Sequence, residues 1–307
     1  MPIIAGPQQP AQWILEADGI FVVTAADAAR QDIRPLKVLL IDLMPEAIGL
    51  RVQLKRLLGN TPLQIELTVV SLEGTSPVED GSPRSFSEIA GSRFDGLLVS
   101  HLDAGERALH QVPCWDELRD VLDWSQDHVH AAMFLGWSAF AALDHFYAIP
   151  TVATPRRLIG VHRHRLQRRQ SYLLRGSDDG FDVPVSRNHT IDPAALAGSP
   201  WLEVLADAPD SGPYLVRNRS RRQVFVTNQP HYEPGHLLLD QRRQPEQEGG
   251  RAALPECTWR SHAQLLFANW LNYYVYQASP YHLEQLTPMA LPTRQRSPLP
   301  GLRRPSA

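Results

Sequence analysis

Two histidine pairs at one-residue spacing, His128-x-His130 and His162-x-His164, put paired imidazoles on one face wherever the chain is extended, a geometry that suits a metal. No cysteine or carboxylate motif at ligand spacing accompanies them, so no metal is expected. Cys114 precedes Trp115 at a helix start, where the helix dipole favours a thiolate, and Cys257 stands far from it. In a reducing cytosol the two are expected to stay unbridged. Arg163, Arg165, Arg168 and Arg169 form a cationic run that suits CoA phosphates or nucleic acid, although such runs usually face water.

The scaffold for these groups is legible in the apolar pattern. Short runs rich in Val, Ile and Leu alternate with stretches of helical spacing, which predicts an α/β fold: a doubly wound, mostly parallel sheet flanked by helices. Buried strands are expected at Lys37 to Leu43, Ile65 to Val70, Gly96 to Ser100, Ala131 to Leu135 and Val224 to Thr227. Helices are expected at Glu46 to Leu58, Trp115 to Asp127, Ser138 to Phe146 and, with aromatics for core packing, Ser261 to Tyr276. Gln244 to Gly250 reads as a solvated loop. The organisation predicted is an extension packed on the core (1–30), one α/β domain (31–277), and a tail (278–307) whose Pro, Arg, Ser and Gln cannot bury enough surface to order it.

Composition narrows the partners. The 307 residues are 43% hydrophobic and 21% charged, and 30 Lys+Arg stand against 33 Asp+Glu for a net charge of −3, which argues against a nucleic-acid surface. The longest apolar runs, such as Val38 to Ile41, fall far short of the roughly 20 residues that cross a bilayer. The N-terminus has no basic region followed by an apolar segment, so the expected location is cytoplasmic.

Four stretches carry a family resemblance: Ile33-Arg-Pro-Leu-Lys-Val-Leu-Leu-Ile-Asp-Leu-Met-Pro45, Phe94-Asp-Gly-Leu-Leu-Val99, Trp124-Ser-Gln-Asp-His-Val129 and the run from Trp259 to Gln277. With Phe21-Val-Val-Thr24, Leu158-Ile-Gly-Val161 and Val226-Thr-Asn-Gln-Pro-His-Tyr232, they closely resemble homoserine O-succinyltransferases. The resemblance implies a class I glutamine-amidotransferase-like fold with its chemistry at the carboxyl ends of the strands. It also implies a homodimer, no permanent cofactor, succinyl-CoA or acetyl-CoA as co-substrate, and homoserine or a similar small amino acid as acceptor. The family's mechanism passes the acyl group through a cysteine on a sharp strand-to-helix turn, served by a histidine and by a glutamate that orients it.

All three catalytic positions depart from that pattern. The family's Cys-Trp turn matches Gly136-Trp137, and its His-Pro-Glu-Tyr matches Gln229-Pro230-His231-Tyr232. Its Gly-Ala-Pro loop, a source of oxyanion-stabilising backbone, matches His101-Leu102-Asp103, and its paired lysines after Met-Pro match Glu46-Ala47. Without a nucleophile an acyl-cysteine cannot form, and loss of one key triad member already costs on the order of a millionfold in turnover. Glycine at the turn also relieves the backbone strain such an elbow imposes. A shifted triad of Ser138, His231 and Glu233 restores a His-x-Glu spacing, but its serine falls inside a helix, where serines commonly bond back to a carbonyl.

The family's amino-acid-binding positions match Arg157, Ser186, Asp240 and Arg243, so the charge pattern survives. A guanidinium can grip an α-carboxylate, which singles out Arg243, whose polar neighbours equally fit a solvated helix face. The expectation is a relative of methionine-pathway acyltransferases that serves as a non-catalytic binding or regulatory homologue. The alternative is an active acyl-CoA:homoserine O-acyltransferase that uses the shifted triad or direct transfer.

Overall fold

The computed structural model describes residues 3–5, 22–24, 34–44, 48–72, 75, 85–244 and 253–292 of the chain. Eleven strands among them form one sheet: Ile3–Ala5 (β1), Val22–Thr24 (β2), Leu36–Asp42 (β3), Ile65–Ser71 (β4), Phe94–Val99 (β5), Val129–Leu135 (β6), Thr151–Leu166 (β7), Gly180–Ile191 (β8), Leu202–Ala208 (β9), Gly212–Asn218 (β10) and Gln223–Val226 (β11). Their order is β2-β1-β4-β3-β5-β6-β11-β10-β9-β7-β8. Every pairing from β2 to β11 is parallel, and every pairing from β11 to β8 is antiparallel.

Of the helices Ile48–Gly59 (α1), Trp115–His128 (α2), Trp137–Tyr147 (α3), Pro234–Arg242 (α4) and Arg260–Asn269 (α5), α4 packs on β7 and β8 and the others cover both faces of the parallel half. Because strand side chains alternate, β3 feeds two cores at once. Leu39 and Ile41 pack with Val121, Phe140 and Leu143 on one side, and Val38 and Leu40 pack with Leu54, Phe267 and Trp270 on the other. A strand covered on both faces is apolar throughout, which is why β3, β5, β6 and β11 read as continuous runs.

Several expectations change. The C-terminal helix is α-helical only to Asn269 and continues as a π-helix over Trp270–Tyr276. Gly96 of β5 lets it approach, since a Cβ there would lie 3.1 Å from the Trp270 ring. The segment expected to be a disordered tail is packed as far as residue 292. Leu283, Leu286 and Met289 are buried, Arg93 donates to the carbonyls of Leu283 and Glu284, and Arg222 donates to that of Thr287. Specific backbone anchors supply what the composition lacked. The extension 1–30 contributes β1 and β2 to the sheet itself. Residues 45–47, 245–250 and 293–307, where parts of the expected first helix, loop and tail fall, lie outside the described residues.

Candidate functional site

The carboxyl ends of β5, β6 and β11 converge on the strand-to-helix turn at Gly136. Gly136 has φ 57° and ψ −121° and acts as the N-cap of α3. An L-residue takes such angles only with strain. A Cβ at this position would lie 2.3 Å from His101 Nδ1 and 2.9 Å from the ring's Cγ, closer than real Cβ contacts come. The imidazole of His101, from the loop after β5, therefore fills the space a nucleophilic side chain would need.

The same ring takes the donor next to it. The Trp137 backbone N–H, the amide just after the elbow position, donates to His101 Nδ1 at 3.1 Å. In elbow sites that amide stabilises an oxyanion. An imidazole nitrogen that accepts an N–H carries no proton, so His101 is the Nε2–H tautomer. Burial pushes its pKa down to about 4, against the pull of Asp103 and Asp240, so the ring is neutral at ordinary pH.

Gln229, expected at the position of the family's histidine, is fixed as a backbone clasp. Its Oε1 accepts the Ser186 N–H at 2.7 Å and its Nε2 donates to the Ser186 carbonyl at 2.9 Å. His231 is buried edge-on to Tyr232, and its Nδ1 has no hydrogen-bond partner. Burial, then the neighbouring His101 and His236, hold its pKa well below the usual imidazole range.

Two members of the shifted triad, Ser138 and Glu233, are engaged elsewhere. The Ser138 hydroxyl is buried, lies 3.0 Å from the carbonyls of Val99 and Leu135, and accepts the Leu135 N–H at 3.0 Å. Glu233 precedes α4 and pairs with Arg260 at 2.9 Å. The helical placement of Ser138 makes it a backbone brace.

Three of the four residues expected to bind an amino acid do meet. Arg157 of β7 donates to the Ser186 hydroxyl from Nε at 3.1 Å and from one terminal nitrogen at 2.8 Å, and that nitrogen lies 3.4 Å from Asp240. Ser186 donates to Asp240 at 2.7 Å. Arg243 is on the rim, with its side chain 71% exposed and 3.7 Å from Asp240, so Arg157 is the buried guanidinium of the cluster. Arg157 also donates to both oxygens of Asp103 at 3.1 Å. Burial raises the Asp103 pKa, but Arg157, His101 and two hydrogen bonds outweigh it and hold the carboxyl below its ordinary value.

Beside Asp103 and Ser186 the free space is about 10 Å³, bordered also by His101, Trp137, Arg187 and His189 but not by Arg157 or Asp240. That is barely one water. A separate cleft of about 480 Å³, between α1, α5 and the 230–233 segment, shares none of these residues.

The remaining candidates have other employment. His128 stacks on Trp124, His164 hydrogen-bonds Ser211 and Asn228, and no group of three metal-binding side chains occurs among the described residues. Arg163, Arg168 and Arg169 pair with Asp182, Glu203 and Asp179. Cys114 is free and buried, and burial pushes its thiol up to about 11, the reverse of the activated thiolate its helix-start position suggested. No helix among the described residues is long and apolar enough to cross a membrane.

A family model of homoserine O-succinyltransferase matches residues 2–281. The chain belongs to the homoserine O-succinyltransferase family. It is 38% identical to a homoserine O-acetyltransferase of Thermotoga neapolitana, covering 93% of this chain and 100% of the relative. It is 36% identical to a homoserine O-succinyltransferase of Shewanella piezotolerans, covering 94% and 97%. Among solved structures it resembles a glutamine amidotransferase of Thermotoga maritima with a TM-score of 0.54 at 10% identity, covering 78% of this chain and 98% of that one. The fold is thus class I glutamine-amidotransferase-like. Relatives of nearly equal identity carry different acyl names, so overall similarity does not select a donor.

His101 and Asp103 as space-filling groups were missed in the sequence. The available signal lay in the expected matches, which exchange size: glycine for the family's cysteine at the elbow and histidine for its glycine in the loop opposite.

Proposed function

We propose that this chain is a non-catalytic homologue of the homoserine O-acyltransferases, with the fold and the amino-acid cluster retained and thiol-based acyl transfer lost. The observation that carries this reading is the His101 ring standing where a Cβ on Gly136 would be, with the Trp137 amide already bonded to it. Nucleophile space and oxyanion donor are thereby consumed together. The position expected for the family's histidine supplies no base. Gln229 has no titratable group, and Ser138 is bound to Val99 and Leu135. The shifted triad of Ser138, His231 and Glu233 gains no support from these contacts.

The role that fits is a binding or regulatory one in sulfur amino-acid metabolism, in a cytoplasmic homodimer, with homoserine or a similar small amino acid as ligand and acyl-CoA as a possible one. Release of CoA thiol from succinyl-CoA or acetyl-CoA with homoserine is the test. No release above background is expected; sustained release abolished by Ser138→Ala or His231→Ala would establish the acyltransferase reading instead. Light scattering tests the dimer.

A further inference from the structure

We infer that Asp103 is an internal ligand of the amino-acid cluster: its carboxylate occupies the guanidinium of Arg157 in the place of an amino acid's carboxylate, and the site takes such a ligand only when Asp103 leaves. This rests on the reading above that Arg157, Ser186 and Asp240 form an amino-acid cluster, and it adds how access to that cluster is controlled.

The argument starts from donors. Arg157 offers Nε and one terminal nitrogen to the Ser186 hydroxyl, and its other terminal nitrogen reaches both Asp103 oxygens at 3.1 Å. Each nitrogen of the guanidinium thus has a partner within the protein.

Charge and space exclude an additional ligand. Asp103 and Asp240 already share this one guanidinium, and among the described residues the only other cation paired with Asp240 is the exposed Arg243. A third carboxylate would be repelled by the other two. On the side of the cluster formed by Asp103 and Ser186 the free volume is about 10 Å³, which holds no amino acid. Exchange of one carboxylate for another resolves both problems, because it leaves the charge of the cluster unchanged and vacates the volume of a side chain.

Asp103 is also the member best placed to leave. Its side chain is 38% exposed, against 11% for Arg157 and 9% for Asp240. Release into water therefore costs it little solvation. It sits on a loop that turns at Gly105, where φ is 59° and a Cβ would meet nothing within 4 Å, and the Gly105 N–H bonds Asp103 Oδ1 at 3.3 Å. His101 anchors the other end of this loop at the elbow, so one short segment closes both halves of the site.

The ligand class follows: a small α-amino acid, its carboxylate on Arg157 and its ammonium toward Asp240. Where the competent state is a tenth of the population, apparent affinity falls about tenfold. Calorimetric titration of wild type and Asp103→Ala with L-homoserine, acetate and ethanolamine tests this. The variant is expected to bind homoserine and acetate at least about tenfold more tightly than wild type, to gain nothing for ethanolamine, and to lose the gain when Arg157→Ala is added. Asp103→Asn, which keeps the side-chain volume, serves should the alanine variant not fold, with the gain expected in the same direction. Equal binding of homoserine by wild type and variant, or no carboxylate binding by a folded variant, overturns the inference. Neither result bears on acyl transfer, which the release of CoA thiol tests separately.

Discussion

Gly136→Ala places a methyl group where the His101 ring now lies. Two penalties combine. A side chain at φ 57° and ψ −121° costs about 1–3 kcal/mol in backbone strain. A Cβ 2.3 Å from His101 Nδ1 must also displace a ring that is only 3% exposed, at a cost typical of core overpacking, about 1–3 kcal/mol. The single variant should lose roughly 2–6 kcal/mol. His101→Ala has its own cost, because it strips the buried Trp137 N–H of its acceptor, about 1–3 kcal/mol, and opens a void. In the double variant the strain and the lost hydrogen bond remain while the clash disappears. Urea unfolding of the four proteins near neutral pH should therefore show the double variant more stable than the sum of the singles by about 1–3 kcal/mol. Additivity within about 0.5 kcal/mol would mean that His101 does not exclude a side chain at the elbow, and the reasoning would fail.

Ser138→Ala should cost about 1–3 kcal/mol in unfolding free energy, since it leaves the Leu135 N–H without its hydroxyl acceptor, and it should alter no ligand binding. An unchanged stability would refute the bracing role. Acid should destabilise the fold through its buried histidines. The His101 pKa falls from 6.5 unfolded to about 4 folded, so the unfolded chain binds the extra proton and stability is lost as pH falls from about 6.5 toward 4. That loss is about 2 kcal/mol by roughly pH 5 for this residue, with His130 and His164, also lowered to about 4, acting in the same direction. A urea midpoint that does not change between neutral pH and pH of about 5 would contradict it. Gly136→Cys combined with His101→Gly restores a thiol and its space but no base, because Gln229 remains clasped to Ser186, so homoserine acylation is expected to stay at background. Turnover by that variant, followed as CoA release, would show that the base is dispensable.

The parallel half of the fold was legible because strands buried on both faces must be apolar along their whole length. Lys37 to Leu43 and Ala131 to Leu135 needed only a residue or two of adjustment, to Leu36–Asp42 and Val129–Leu135. In the antiparallel half β7 was the hardest strand to read. It carries Arg156, Arg157, His162, Arg163, His164 and Arg165 on a partly exposed strand, so its sequence reads as a charged run. Its pairing with β8 over Thr151 to Arg165 depends on backbone bonds that composition does not reveal. In the site, the vacancy at Gly136 and the amide at Gln229 were evident from residue type alone. What fills the vacancy was not, because His101 and Asp103 act through direction and distance, and linear spacing encodes neither. The contacts also reassign the buried guanidinium from Arg243 to Arg157, since polar neighbours on one helix say nothing about which arginine faces inward.

The measurement closest to the central claim is the intact mass of the protein during incubation with succinyl-CoA or acetyl-CoA, with and without homoserine. With a glycine at the elbow and its amide bound to His101, the mass is expected to stay that of the unmodified chain at every time point. A succinyl or acetyl adduct that appears with acyl-CoA and discharges on addition of homoserine would contradict the account.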